Sequence, residues 1–172
     1  MENAPHTIAS TRLKAHVRPV SSAETLPRSY STPGSSAGAV PDITDSKLHP
    51  ALAAFLQAMS DKLDMLVSYV SQSQLDSEYV PAEVLEIGTE GLALTKTCNA
   101  SPGQHLEIVV VLSQFPLTMV SAVGKVTGEG ARQGEPVLMV RFTRIREEDL
   151  EHIVQFVFRE ERARIRRTKW GE

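Results

Sequence analysis

The feature that most constrains the fold is a series of short apolar runs, closely spaced and separated by turn residues, that begins at Tyr79. Their β-branched residues are typical of strands, and the segments between them are too short for helical crossovers. Such strands favour an antiparallel meander that closes into a small barrel and so hides its edges. We predict five strands, at 80–87, 91–95, 104–112, 117–127 and 136–143.

The third of these runs is apolar on both faces. From Ile108 to Leu112 every residue is aliphatic, whereas a strand with one solvated face alternates. An element outside the barrel must therefore cover it. The last helix can supply that cover, because its start at Glu147 is acidic and its apolar residues mark one face, namely Leu150, Ile153, Val154, Val157, Phe158 and Ile165.

The far end of this last helix is basic, with five arginines and a lysine between Arg159 and Lys169. Cations suit a helix C-terminus electrostatically, so a solvated end is the simpler interpretation. The alternatives are an anion or partner site and, as a third hypothesis, nucleic-acid binding. The formal net charge of −3 argues against a general nucleic-acid or anionic-membrane binder, so nucleic acid is not an expected partner.

A second periodic segment precedes the strands. A cap at Asp45-Ser46 and Pro50 in the first turn predict a helix over 46–73, followed by a polar link from Gln72 to Glu78. Its apolar residues alternate in spacing between four and three, as in a heptad repeat: Leu52, Leu56, Met59, Leu63, Leu66 and Val70. This seam predicts a homo-oligomer interface, and packing on the chain's own domain is the alternative.

The first 45 residues are rich in Ser, Pro, Ala and Gly. Such a segment buries too little apolar surface to offset the entropy of ordering it, so we predict a disordered tail over 1–45. The single folded domain is then expected over 79–169. The tail's arginines, Arg12, Arg18 and Arg28, could contact a ligand or partner, although a flexible leader is the simpler interpretation.

Several functional classes are excluded by what the sequence lacks. The single cysteine, Cys98, permits no internal disulfide, and the five histidines lack metal-ligand spacing, so we expect no metal and no cofactor. No stretch approaches the length of a membrane helix, which predicts a cytoplasmic protein without membrane insertion. No motif assembles an active site, so we do not expect an enzyme.

The stretch from Glu83 to Leu94 carries a resemblance to a known family. A strand, an acidic position, a tight turn and a second strand follow in order, with Glu86, Gly88 and Gly91 where PilZ proteins usually have Asp or Asn, Ser, and Gly. Pro102-Gly103 before an apolar strand and the closing helix around Phe156 fit the same order. The chain therefore resembles the PilZ family over 79–169, and the heptad helix before the barrel resembles its atypical, oligomerising branch.

The resemblance implies a β-rich fold, a small antiparallel barrel with an N-terminal heptad helix and a C-terminal amphipathic helix. It also implies a receptor or adaptor in cyclic di-GMP signalling, with a protein partner in a motility, pilus or attachment pathway. Typical members grip cyclic di-GMP with an Arg-x-x-x-Arg element before the barrel, but this chain has no arginine between Arg28 and Arg132.

Direct binding of cyclic di-GMP in the usual mode is therefore not expected, and Gly88 also lacks the serine hydroxyl. The predicted ligand-binding residues are Glu86, Gly88, Gly91, Arg141 and Arg144. A different binding mode would use arginines such as Arg141, Arg144 and Arg146 together with the basic end of the last helix. The alternative function is a structural oligomer whose helix and barrel form a protein-docking module with no nucleotide ligand.

Overall fold

The computed structural model describes residues 8–28, 49–114 and 117–170. In chain order the elements are β1 Ile8–Val20, α1 Pro50–Glu78, β2 Val80–Gly88, β3 Gly91–Thr95, β4 His105–Gln114, β5 Leu117–Arg132, β6 Glu135–Ile145 and α2 Glu147–Trp170. The strands form one closed antiparallel barrel in the order β1-β2-β3-β6-β5-β4. The predicted β-rich class, with a small barrel and two helices, is confirmed.

The N-terminal segment contributes a strand that the sequence did not suggest. Strand β1 pairs with β2 on one side, with Ala15 opposite Ala82, and with β4 on the other, with Ala15 opposite Val110. Disorder is thus the wrong prediction for 8–20, the barrel does not begin at residue 79, and six strands replace the expected five. Few apolar side chains of the segment meet the core, so its composition concealed its place there; they are Ala9, Leu13, Ala15 and Val17. Positions 1–7 and 29–45 of the predicted tail lie outside the described residues.

The strand order also differs from a simple meander. Consecutive strands pair within β1-β2-β3 and within β4-β5-β6. These two three-stranded units are joined into the barrel by pairing of β3 with β6 and of β1 with β4. The meander prediction was wrong because β1 occupies the edge of β4 that β3 would otherwise have taken. The connection from β3 to β4 consequently joins strands that are not neighbours.

Strands β5 and β6 are longer than predicted and meet in a two-residue turn. Gln133 and Gly134 have φ angles of 51° and 80°, between the paired residues Arg132 and Glu135. Positive φ at both central positions defines the hairpin turn whose twist matches the strands, and glycine adopts it without strain. The Gln133 side chain donates to the Leu85 carbonyl at 3.2 Å, so this hairpin folds over β2.

The main core fills the barrel and includes one face of α2. Ile153, Phe156 and Val157 of that helix are buried in the same cluster as Ile108 and Val110 of β4. Helix α2 therefore packs against the inward-facing side chains of the barrel strands. The predicted acidic start of α2 is present. The predicted apolar face is only partly correct, because Ile153 and Val157 are buried whereas Phe158 and Ile165 are exposed.

The outer face of β4 is covered by α1, not by α2 as predicted. Leu75 and Tyr79 pack on Val109 and Val111, together with Leu117 and Met119. The predicted polar link from Gln72 to Glu78 is instead helical, because α1 continues to Glu78. The last turn of the helix covers the outer face of β4. At the other end of α1 the cap is His49, whose Nδ1 accepts from the Ala51 N–H at 3.3 Å, and Pro50 is the first helical residue. The predicted cap at Asp45-Ser46 lies outside the described residues.

Candidate functional site

The turn between β2 and β3 lies beside a cleft of about 470 Å³. Four of the five predicted ligand-binding residues line it, namely Glu86, Gly88, Gly91 and Arg141, with apolar neighbours that include Ile87 and Met139. Arg144 lies in an adjoining cleft of about 630 Å³, which shares Thr89, Glu90 and Arg141 with the first. The structure thus brings the predicted residues to one region of the surface but divides them between two clefts.

The two carboxylates that line the first cleft are each paired with an arginine. Arg132 Nε donates to the Glu86 carboxylate at 2.7 Å, and Arg141 lies 3.7 Å from the Glu90 carboxylate. An anionic ligand would have to displace a carboxylate from each arginine before it gained a comparable contact. The one arginine that lines the first cleft is therefore paired. In the second cleft Arg144 has no carboxylate partner among the described residues, and Arg146 donates to the Pro27 carbonyl at 3.1 Å.

Close strand packing requires a glycine at position 91, whether or not a ligand binds there. A Cβ at this position would lie 2.1 Å from the Val140 carbonyl oxygen, so β3 could not approach β6 with any larger residue. The glycine at the family-like position is thus explained by strand packing. Gly88 is buried at the end of β2.

A buried carboxylate joins three parts of the molecule that the sequence did not connect. Glu107 is fully buried on β4 and accepts from Arg18 Nε at 2.6 Å and from the Arg28 backbone N–H at 2.9 Å. The Arg18 guanidinium lies 5.1 Å from the centre of the Tyr79 ring, and Arg28 pairs with Glu78 at 2.7 Å.

Two arginines expected in a flexible leader therefore link β1 and β4 to the end of α1. A glutamate within an apolar run signals that some cation must pair with it, because an unpaired buried charge is costly. Which cation pairs with Glu107 is visible only in the folded chain.

The predicted seam of α1 is exposed along its whole length. Its six residues, Leu52, Leu56, Met59, Leu63, Leu66 and Val70, have between 39% and 60% of their surface accessible. At 3.6 residues per turn they share one side of the helix, which Phe55 and Val67 widen to about a third of the circumference. Leu75, which contacts the barrel, lies outside this arc, so the seam points away from the barrel.

The described part of the chain contains neither a metal-ligand cluster nor a membrane-spanning helix. No group of His, Cys, Asp and Glu side chains there could hold a metal ion. Neither of the two helices described is long and apolar enough to cross a membrane.

Comparison with known proteins identifies the fold. A tetrameric PilZ domain protein of Xanthomonas campestris, described as self-assembled via an unusual helical bundle, superposes with a TM-score of 0.59 at 19% identity, over 94% of this chain and 91% of that one. The fold is that of a PilZ-like domain. The Bacillus subtilis inhibitor of motility MotI/DgrA superposes with a TM-score of 0.53 at 8% identity, over 94% of this chain.

The PilZ-like chain spans 52% of the length of the B. subtilis protein. No protein-family model matches its sequence, and no curated protein matches it either. At these identities the likeness to both solved structures is one of fold.

Proposed function

We propose that this PilZ-like chain is an adaptor in cyclic di-GMP-dependent regulation, which acts by binding and presents its barrel from an oligomer formed through α1. The observation that carries the proposal is the seam of α1, whose large apolar side chains are exposed while only the last turn of the helix packs on the barrel. The helical bundle of the tetrameric X. campestris PilZ protein supports an assembly of this kind.

The width of the exposed stripe favours a bundle over a two-stranded coiled coil. A two-stranded seam is narrow, whereas an apolar arc of 100° or more is typical of a helix that packs against several neighbours. A helix of 29 residues is about 44 Å long, so the stripe extends well beyond its contact with the barrel. Copies of the same helix would cover a surface that the barrel leaves in water.

A regulatory role in motility, pilus function or attachment is supported by the neighbour that inhibits motility in B. subtilis. Direct nucleotide sensing in the usual mode is not part of the proposal, because Arg132 and Arg141 are paired with Glu86 and Glu90. Charge-assisted hydrogen bonds contribute about 1.5–3 kcal/mol each, so arginines that must first give up a carboxylate offer little net affinity for a dianion. The proposed adaptor works through its protein partner.

The oligomer is tested by sedimentation velocity of the wild type and two variants. Leu63→Asp places a charge in the seam, whereas Ala54→Asp places the same charge on an exposed position of α1 outside it. We expect an oligomer for the wild type and for Ala54→Asp, and a folded monomer for Leu63→Asp. A monomeric wild type, or an oligomer that tolerates Leu63→Asp, would contradict the proposal.

The ligand question is tested separately by calorimetric titration with cyclic di-GMP at low salt. We expect no saturable heat from the full chain. Saturable binding in the micromolar range would instead make this protein a direct receptor, and loss of that binding in Arg144→Gln would assign it to the second cleft.

A further inference from the structure

The last three turns of α2 present two chemically different sides. On the side toward β1, Glu160, Glu161, Arg164 and Arg167 line a groove together with Ala9 and Ser10. On the opposite side Phe158, Arg162, Ile165 and Lys169 follow one another at spacings of four, three and four, which aligns them in a single row along the helix. This outer row, flanked by Arg159 and Arg166, takes no part in the core.

The apolar members of the outer row are exposed. Phe158 and Ile165 have 53% and 56% of their surface accessible, whereas Ile153, Phe156 and Val157 of the same helix are buried against the barrel. The face of α2 that packs on the barrel is thus formed by other residues, and Phe158 and Ile165 lie outside that face. They are available to a partner.

The cations of the outer row have no carboxylate partner among the described residues. Arg159 stacks on Phe156 with 5.4 Å between the guanidinium and the ring centre, and Arg166 Nε donates to the Arg162 carbonyl at 3.4 Å. The neighbouring acid, Glu161, is paired with Arg164 at 3.2 Å. The row therefore concentrates positive charge on a chain whose formal net charge is −3.

Alternating large apolar and cationic side chains in one exposed row indicate the chemistry of the partner. A nucleic acid backbone would neutralise the cations but would leave Phe158 and Ile165 in water. An anionic lipid surface satisfies both, because headgroup phosphates bind arginine and lysine while apolar side chains enter the boundary of the acyl chains. The barrel lies on the opposite side of α2 and does not obstruct such an approach.

We propose that the outer row of α2, from Phe158 to Lys169, docks this protein on an anionic lipid surface as a peripheral contact. This inference goes beyond the proposed adaptor function and does not depend on the seam of α1. It concerns a helix lying on a membrane surface, not one that crosses it. Each chain would contribute about 16 Å of helix to the contact.

Co-sedimentation of the full-length chain with phosphatidylcholine vesicles, with and without phosphatidylglycerol, tests the proposal. We expect binding to the anionic vesicles at low salt, little binding to the neutral ones, and release as the salt concentration rises. The chain's single tryptophan is Trp170, at the end of α2, so a blue shift of its fluorescence with anionic vesicles would report the same event at the helix.

Two double variants separate the two kinds of contact. Arg162→Gln with Arg166→Gln should weaken binding to anionic vesicles roughly 30-fold, since each surface cation contributes about fivefold. Phe158→Ser with Ile165→Ser should also weaken binding and remove the fluorescence shift. Lys125→Gln, an exposed lysine on β5, is the matched control and should leave both measurements unchanged.

Three outcomes would overturn the proposal. The first is a wild-type protein that ignores phosphatidylglycerol at low salt. The second is equal weakening by Lys125→Gln, which would indicate general electrostatic adsorption. The third is binding to duplex DNA as tight as to vesicles and unaffected by Phe158→Ser with Ile165→Ser, which would identify the row as a polyanion surface.

Discussion

The carboxylate of Glu107 lies within an otherwise apolar strand and is held by residues about 80 to 90 positions away in the sequence. Arg18 supplies its side chain and Arg28 its backbone N–H, so one buried acid fixes both the end of β1 and the segment after it. A buried charge is tolerated only while its partner is present. Glu107 therefore adds to the strand pairing that holds the N-terminal segment in the folded domain.

Replacing Arg18 should consequently be far more damaging than replacing another paired arginine. Arg18→Gln leaves the Glu107 carboxylate buried with an inadequate partner, and we expect a loss of about 3–5 kcal/mol in the free energy of unfolding. Arg12→Gln is the control, because Arg12 pairs with Glu83 and Glu135 at the exposed surface, where solvent screening leaves an ion pair with little effect on stability. Denaturant titration of both variants measures the difference, and equal losses would contradict the assigned role.

Gly91 provides a second prediction. Gly91→Ala should destabilise the fold by about 1–3 kcal/mol, because its Cβ would meet the Val140 carbonyl oxygen and force β3 away from β6. Gly128→Ala, where a Cβ meets nothing within 4 Å, should cost little. If thermal melts showed the two variants to be alike, the glycine at 91 would need an explanation other than strand packing.

Asp149 makes stability depend on pH in a direction that can be tested. Burial raises the pKa of its carboxyl above the usual value, despite the Ser121 backbone N–H, Arg146 and His152, each of which lowers it. Because the folded-state pKa lies above the unfolded one, the contribution of Asp149 to stability is complete at low pH and is lost as pH rises through the folded pKa.

Asp149→Asn removes this titration. The free energy of unfolding of the variant, minus that of the wild type, should therefore increase as pH rises across the acidic range. Denaturant titrations at several pH values measure this difference, in which the other carboxylates cancel. A flat difference would show that folding leaves the pKa of Asp149 unchanged, and a falling one would show that folding lowers it; either result would contradict the assigned effect of burial.

At the scale of elements, β1 shows that strand-forming segments need not look apolar in the sequence. Its buried apolar side chains, Ala9, Ala15 and Val17, are small, and its exposed positions include the charged residues Arg12 and Lys14. Pairing on both edges, with β2 and β4, supplies the stability that its composition does not suggest. The element is defined by its partners.

Deleting residues 1–20 should therefore open the barrel and abolish cooperative unfolding, because β2 and β4 each lose a pairing edge. Deleting residues 1–7 alone should preserve the transition, since β1 begins at Ile8. Near-ultraviolet circular dichroism during a thermal melt distinguishes these results. A cooperative transition in the longer deletion would mean that β1 is not required for the fold.

At the scale of the whole molecule, α1 and the barrel are joined by a small contact, and most of the helix packs on none of the other described residues. Leu75 and Tyr79 are buried against β4 and β5, while the seam farther up the helix is exposed. Under the proposed function, copies of α1 bury the seam in one another. Folding and assembly are then coupled.

Coupling predicts that stability depends on protein concentration. The thermal midpoint of the wild type should rise as the concentration increases, because association stabilises only the folded state. Leu63→Asp should show a midpoint that is lower and independent of concentration. Calorimetric scans over a wide concentration range test this, and a wild-type midpoint that does not move would argue against an obligate oligomer.

The sequence by itself determined the elements whose signal is local. The strand pattern after Tyr79, the heptad spacing of α1 and the acidic start of α2 all arise from neighbouring residues, and the barrel with its two helices follows from them. The family-like positions Glu86, Gly88 and Gly91 also meet in one cleft with Arg141, which was predicted for a different binding mode, because β2, β3 and β6 are adjacent.

Only the tertiary structure decided what depends on contacts between distant residues. Strand β1 is recognisable once β2 and β4 flank it, the cover on β4 comes from the end of α1, and Arg132 neutralises Glu86 from the far end of β5. A strand edge pairs with, and a buried charge is neutralised by, whichever partner the fold brings near. The topology of the barrel therefore determines which residues are partners, and no single stretch of sequence does.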